Sequence, residues 1–347
     1  MRRKLNRRLK GKPRLKVLVL HRDSIFLNFL VFFVMVFTAF TFMSLDDVRR
    51  AIYGVKPGVT LEGLDMSGFL KKEVEETVAA LAEKEKRLPK DAMIYSETGE
   101  LIPEEAGVEV DKEATVEALM SAKPGSKLNL ITHQVLPAIT RSNFEAIRKV
   151  DIKDKAVAFG INVAWGEEFL DKMLETMREE NIKATFFFDG NWVNLFPDLT
   201  RKVASEGHEI ANHGLRHLHV KDLSIDEVKD LILKNEELLL EVAGRASRLF
   251  APPYGEVDKE VLAAAGSLGY RTILWTIDTV DWKSPPEDKL MSRVITKLTP
   301  GAIILMHPTA VTTSSLRKLI GEIRKAGYAI VTISDLLRME RGQESDS

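Results

Sequence analysis

Gly207 to His219 reads G-H-E-I-A-N-H-G-L-R-H-L-H, and four of the chain's seven histidines, His208, His213, His217 and His219, fall within it. A short apolar run with the character of a strand leads straight into the imidazoles. His213 and His217 stand at i and i+4, so one helical turn or tight loop can aim both rings at a common point, the usual protein half of a zinc site. His208 and His219 read as structural. A strand that hands a reactive residue to the loop after it is the signature of parallel α/β architecture, and the pattern recurs on both sides of this stretch.

Apolar runs at Ala156 to Ile161, Lys183 to Phe188, His208 to Ala211, Arg248 to Phe250, Arg271 to Ile277, Ala302 to Met306 and Ala329 to Ile333 alternate with helical segments. One helix shows its apolar stripe at Phe169, Leu170, Met173, Leu174 and Met177; another opens with the capping box Ser224-Ile225-Asp226-Glu227. Seven such alternations predict an α/β fold, a distorted (β/α)7 barrel, over residues 150–340. Asn162, Asp189, His213, the Pro252-Pro253-Tyr254-Gly255 bend, Asp278 with Asp281, and His307 each follow the C-terminal end of a predicted strand. Barrel enzymes build their sites on that face.

Residues 55–142 read as a separate small α+β domain. Strands are expected at Val59 to Leu64, Ala92 to Tyr95 and Leu128 to Thr132, with helices at Lys71 to Leu88 and Lys112 to Met120. The phrases G-V-T-L-E-G-L-D-M-S-G-F-L-K-K-E-V and A-G-V-E-V-D-K-E-A-T-V-E-A-L resemble a peptidoglycan-binding domain. A plain spacer is the alternative reading of this segment.

With no cysteine, the chain can make neither disulfides nor thiolate metal sites. Residues 1–23 form a basic tail with ten Lys or Arg against Asp23, formally +9. Ser24 to Leu45 carries no charge and is dense in Phe, Val and Leu, about the length needed to cross a hydrocarbon core. We read 24–45 as an uncleaved transmembrane anchor with the N-terminus cytoplasmic and the remaining domains extracytoplasmic; a cleaved signal peptide is the alternative, but no clean A-x-A site follows. The formal net charge of −1 then leaves about −10 beyond the tail, which argues against nucleic-acid binding by the globular part.

Residues 150–340 resemble the polysaccharide deacetylases, the NodB-homology or family 4 carbohydrate esterases. The likeness rests on A-T-F-F-F-D-G (Ala184 to Gly190), N-H-G-L-R-H (Asn212 to His217), A-P-P-Y-G (Ala251 to Gly255), D-T-V-D-W (Asp278 to Trp282) and L-M-H (Leu305 to His307), in family order. The anchor and the phrase W-G-E-E-F (Trp165 to Phe169) look most like a sporulation-associated branch. The resemblance implies a divalent metal, usually zinc, on His213 and His217, with His307 as general acid and Asp281 orienting it. It also implies an acetyl pocket walled by Trp282 and Leu305, with the Tyr254 backbone N–H helping to hold the oxyanion.

Three positions depart from the family pattern. The first motif, T-F-D-D-G, aligns with G-I-N-V-A at Gly160 to Ala164, so the base aspartate is Asn162 and the metal-binding aspartate is Val163; the arginine that pairs with the base is Ala251. The losses are coherent, because a buried guanidinium without its carboxylate is a costly unpaired charge. Asp189, Glu167 or Glu168 are candidate surrogate carboxylates, with a solvated first helical turn as the bland reading of the two glutamates. Two functions compete: a membrane-anchored, metal-dependent N-deacetylase of cell-wall glycan, and a catalytically impaired glycan binder using the same cleft. Both require His213 and His307 to open onto one cavity.

Overall fold

The computed structural model describes residues 22–95 and 99–345; most of the basic tail, residues 1–21, lies outside the described residues. A helix spans Arg22–Tyr53 and covers the expected anchor, with Phe26, Phe29 and Phe33 exposed. Among the described residues, however, no helix is long and apolar enough to cross a membrane, so the structure does not support a transmembrane helix. Some side chains of that segment, at positions 24–25, 39–40 and 42–44, fall outside the description.

The chain divides into two compact units, residues 1–87 with 108–134, and residues 88–107 with 135–347. In the first, helices Lys71–Glu85 and Lys112–Ser121 pack with a three-stranded sheet around Val59, Leu61, Val74, Val78, Val116 and Leu119. The strand expected at Val59 to Leu64 is broken at Glu62 and Gly63, both at positive φ, into a tight hairpin of Thr60–Leu61 and Leu64–Asp65. Leu128 to Thr132 is likewise not one strand: Lys127–Leu128 pairs with Thr60–Leu61, while Thr132–Val135 pairs with Gly107–Val110. The hairpin Met93–Ile94 with Leu101–Ile102 belongs to the second unit, because Ala92 N–H donates to the Ile139 carbonyl at 2.9 Å and Ile139 N–H to the Asp91 carboxylate at 2.9 Å.

The second unit is built on one curled, all-parallel sheet of nine strands. We number them β1 (Ala146–Ile147), β2 (Ala156–Val163), β3 (Thr185–Phe188), β4 (Glu209–Asn212), β5 (Leu249–Phe250), β6 (Arg271–Ile273), β7 (Ile277–Asp278), β8 (Ile303–Met306) and β9 (Ala329–Val331). The order is β7-β8-β2-β3-β4-β5-β6-β1, with β9 also paired to β2. All seven expected strands are present. Two details differ: the run Arg271 to Ile277 is interrupted at Leu274 to Thr276 and becomes β6 and β7, and β1 was not anticipated. The strand pairing leaves β7 and β1 as edges, so the sheet is curled rather than fully hydrogen-bonded into a ring.

Every residue of β2 is buried, as expected for a strand covered on both faces. Val157, Phe159, Ile161 and Val163 face outward and pack with Leu170, Met173, Leu174 and Met177 of α1 (Glu167–Glu179), four of the five residues of the stripe read from the sequence; Phe169 is only partly buried and lies outside that cluster. The alternate residues, Ala156 and Ala158, belong to the inner cluster with Phe187, Ile273 and Ile303. A Cβ on Gly160 would lie 3.6 Å from Ile303, Ile333 and Phe187, so the small residues on this face leave room for the inward side chains of neighbouring strands. α2 (Gly190–Leu195) and α3 (Pro197–Ser205) follow β3; α4 (Ile225–Ala243) follows β4 and starts at the capping box, where Ser224 N–H donates to Glu227 at 2.8 Å.

Gly301, just before β8, sits at φ +74 with a virtual Cβ 1.8 Å from the Val150 carbonyl oxygen. Its backbone is held on both sides, accepting from Val150 N–H at 3.0 Å and donating to Ala156 at 2.8 Å. Gly301→Ala therefore forces apart two bonded backbones and is expected to cost at least about 3 kcal/mol. The check is the guanidinium midpoint of the variant, where a shift below about 0.5 M would contradict this account.

Candidate active site

The loops after β2, β4, β5, β7 and β8 surround a cavity of about 390 Å³. Asn162, His213, His217, Tyr254, Trp282, Leu305 and His307 all line it, so seven of the nine site residues expected from sequence meet in one place. His213 and His307 share this cavity, as both functional readings require. The other two expected residues, Asp281 and Asp189, fall elsewhere.

Asp281 is completely buried behind His307. Its Oδ2 accepts from the His307 backbone N–H at 2.6 Å and from Thr312 Oγ1 at 2.6 Å, and its Oδ1 lies 2.8 Å from His307 Nδ1. An ionised carboxylate can only accept, so Nδ1 carries the proton and Nε2 is left to face the cavity. The loop that delivers Asp281 is strained: Val280, a β-branched residue, has φ 56. Asp278 holds that turn by accepting from Val280 N–H at 2.7 Å, and Thr279 Oγ1 ties it to the Leu305 carbonyl at 2.9 Å.

The other two imidazoles are set from below. His213 is buried with Nδ1 2.6 Å from the Ala251 carbonyl oxygen, an acceptor, so Nδ1 again carries the proton and Nε2 keeps its lone pair. Burial, reinforced by the neighbouring His217, pushes its pKa down to about 3, so the ring is neutral at physiological pH. The His213 and His217 ring centroids are 5.2 Å apart. His217 is also held below the ordinary histidine range by burial and by His307.

These two imidazoles are two of the three protein ligands that the resemblance implies. Val163, at the place of the family's metal-binding aspartate, is fully buried in the outer apolar cluster. Among the described residues no group of three His, Cys, Asp or Glu side chains is placed to hold an ion. The donor set does not fit the two-histidine, one-aspartate centre implied by the resemblance. Ala251 is buried in the inner cluster, and only about 10 Å³ is open between it, Asn162 and Gly160. That gap suits a single water rather than a guanidinium.

None of the surrogate carboxylates reaches the cavity. Glu167 and Glu168 form the acidic first turn of α1 and are absent from the lining. Asp189 caps α2, its Oδ1 accepting from Trp192 N–H at 3.2 Å. Its Oδ2 is buried without a protein partner, and burial raises its pKa to about 6. A folded-state value above the unfolded one means that ionisation opposes folding: the penalty is absent below about pH 4 and is fully felt above about pH 6. Asp189→Asn keeps a cap of equal quality. It is expected to stabilise the protein by on the order of 2 to 3 kcal/mol at pH 7.5 and by little at pH 4, measured by urea unfolding at both values. His208 and His219 are not among the residues that line the cavity. His208 is buried and accepts from Ala184 N–H at 3.2 Å, while exposed His219 lies 2.9 Å from Glu256 and stacks on Tyr254.

Sequence reasoning missed Trp165 and Trp275, which both line the cavity. Trp165 stacks on His307 with ring centroids 5.5 Å apart and planes 11° from parallel. Gly166 beside it, at φ +84, would place a Cβ 2.0 Å from the Pro308 carbonyl oxygen, so the loops after β2 and β8 are locked together there. The signal was available, since Trp165 follows β2 by two residues and satisfies the strand-end rule that found the others.

Residues 149–273 match the polysaccharide deacetylase family, and residues 66–129 match a peptidoglycan binding domain. Protein YlxY of Bacillus subtilis (strain 168) is 37% identical over 238 residues, 68% of this chain and 75% of that protein. A peptidoglycan-N-acetylglucosamine deacetylase of Bacillus cereus (strain ATCC 14579) is 31% identical over 196 residues, 55% of this chain and 92% of that one. The crystal structure of BA3943, described as a family 4 carbohydrate esterase pseudoenzyme from Bacillus anthracis, superimposes with a TM-score of 0.56 at 33% identity, covering 76% of this chain and 95% of that one. A mutant of BA3943 described as having restored enzymatic activity matches at 32% identity and the same TM-score, covering 76% of this chain and 98% of that one. Extended likeness to both a peptidoglycan deacetylase and a family 4 pseudoenzyme, joined to a cavity assembled from the motifs in matching order, leads to one conclusion: the chain belongs to the polysaccharide deacetylase family, the family 4 carbohydrate esterases.

Proposed function

We propose that the chain binds cell-wall glycan through N-acetylated sugar units in this cavity and that its hydrolysis of the acetamide is impaired. The observation that carries this reading is Asn162. A neutral amide stands in the cavity wall where a family base would take a proton, next to a buried valine where a metal ligand would be. The description of BA3943 as a pseudoenzyme supports it. The groups that would grip an N-acetyl sugar are retained: Trp282 and Leu305 as walls of an acetyl pocket, the Tyr254 backbone at the carbonyl, and the outward Nε2 atoms of His213 and His307 as polar partners. The peptidoglycan binding domain supplies a second weak contact, and two tethered weak sites give useful avidity.

A second reading, slow deacetylation, is favoured by the intact Asp281–His307–Thr312 array, which would hold His307 ready to protonate a leaving amine. One experiment separates them: the full chain is titrated calorimetrically with chito-oligosaccharides and assayed for acetate, with and without added zinc. Binding with no acetate above background is expected. Zinc-dependent acetate release would replace this reading by the second, and absence of binding would overturn it. The proposal also places residues beyond 46 on the wall side of a membrane, attached through the N-terminal helix with its exposed Phe26, Phe29 and Phe33, in a setting of sporulation suggested by the Trp165 to Phe169 phrase. Release of the protein into the soluble fraction on deleting residues 1–45 checks the attachment.

A further inference from the structure

We propose that Trp165 is a ligand-stacking platform of this cavity, in a lining it shares with Tyr254 and Trp282, so that a neutral pyranose is held by aromatic faces rather than by charge. The inference rests on the glycan-binding reading above and adds the residue that dominates it.

Three observations carry it. First, the rim holds three large aromatic side chains that remain 42%, 55% and 51% exposed, Trp165, Tyr254 and Trp282, on the loops after β2, β5 and β7. A single exposed aromatic is ordinary, but three lining one cavity form an apolar surface of the kind that marks a binding site. Secondly, each ring is braced from one side. Trp165 lies nearly parallel on His307, Tyr254 is stacked on His219 at 4.2 Å and set edge-on to His217 at 4.4 Å, and Trp282 carries the Lys283 ammonium 4.6 Å from its ring centre. Bracing fixes the rings before a ligand arrives, so little side-chain entropy is lost on binding. Thirdly, the lining contains no Lys or Arg, and its one carboxylate, Asp278, is engaged by the Val280 backbone. Such a wall suits an uncharged ligand with apolar C–H faces and ring hydroxyls, which is an N-acetylhexosamine.

Trp165 is singled out because its backbone is pinned. Gly166 at φ +84 is packed against the Pro308 carbonyl, so the loop cannot swing the indole away, and His307, its stacking partner, is fixed by Asp281. The indole is thus held in place before a ligand arrives, in the same lining as Asn162.

The test uses the full chain and chitotetraose. Trp165→Ala is expected to weaken binding at least about tenfold, with Trp165→Tyr within roughly threefold of wild type and both variants keeping the wild-type melting temperature within a few degrees. In the wild-type chain, the indole N–H resonance of Trp165, assigned by its loss in Trp165→Phe, is expected to shift in proportion to occupancy. Binding by Trp165→Ala within twofold of wild type, or an unmoved Trp165 resonance at saturation, overturns the platform while leaving the glycan-binding reading standing. Failure of the wild-type chain to bind chitotetraose at all overturns both.

Discussion

A chain carrying Asn162→Asp, Val163→Asp and Ala251→Arg together is expected to bind zinc stoichiometrically and to release acetate from chito-oligosaccharides at least about 10²-fold faster than wild type. The lower bound is the usual contribution of one positioned general base, and the metal adds to it. The other side chains that the family resemblance assigns to the reaction are present in or directly behind the cavity. His213 presents a neutral ring with Nε2 free, His217 lines the same cavity, and His307 is oriented by a carboxylate that accepts three hydrogen bonds.

The single changes are expected to fail, each for its own reason. Val163 is fully buried among aliphatic neighbours, so an aspartate there without a metal is an unpaired charge and should cost several kcal/mol. Ala251→Arg alone drives a guanidinium into about 10 Å³ beside a neutral amide. Asn162→Asp alone supplies a base but no metal to activate the water. The three are therefore strongly non-additive. A useful intermediate readout is the melting temperature of Val163→Asp, which should fall without zinc and recover with it. Zinc analysis and an acetate assay on all four variants decide the matter, and metal binding without any gain in acetate would show that more than these three positions has been lost.

Why the sequence revealed as much as it did follows from where the signals lie. The expected strands were legible because parallel strands buried on both faces read as continuous apolar runs, and the reactive residues were legible because each stands at a strand's C-terminal end. What was missed depends on geometry that composition does not encode. Asp189 satisfies the strand-end rule, yet its carboxylate turns back to cap α2 and never enters the cavity. Trp165 was read only as part of a phrase although its place two residues past β2 marked it for the cavity; what the sequence does not say is that Gly166 folds tightly against Pro308 and lays the indole on His307. Glu62 and Gly63 look like the middle of a strand until both adopt positive φ. Asp91, tied to Ile139, draws the hairpin at Met93 into the second unit through a contact no local pattern announces.

Asp281→Ala is expected to be the most destabilising single change in the site, by about 3 to 5 kcal/mol. Asp281 has no exposed surface, and its two oxygens satisfy the His307 backbone N–H, the His307 Nδ1–H and the Thr312 hydroxyl, all within 2.8 Å. Alanine leaves three donors, two of them on partly buried His307 and one on buried Thr312, without this acceptor, beside a loop that already carries the strain of Val280 at φ 56. Asp281→Asn separates the packing from the charge. Its amide keeps one acceptor oxygen but points NH2 groups at a donor, so His307 is driven to the tautomer that carries its proton on Nε2. The asparagine variant should then lose less stability than the alanine one, while the 15N shifts of the His307 ring exchange their pattern. Thr312→Ala, which removes one donor and leaves the carboxylate otherwise bonded, should cost only about 1 kcal/mol. Urea unfolding of the three variants orders them. If Asp281→Ala proves no more costly than Thr312→Ala, the buried carboxylate is not what holds the loops after β7 and β8 in register, and the positioning of His307 would have to be sought in its stacking on Trp165 instead.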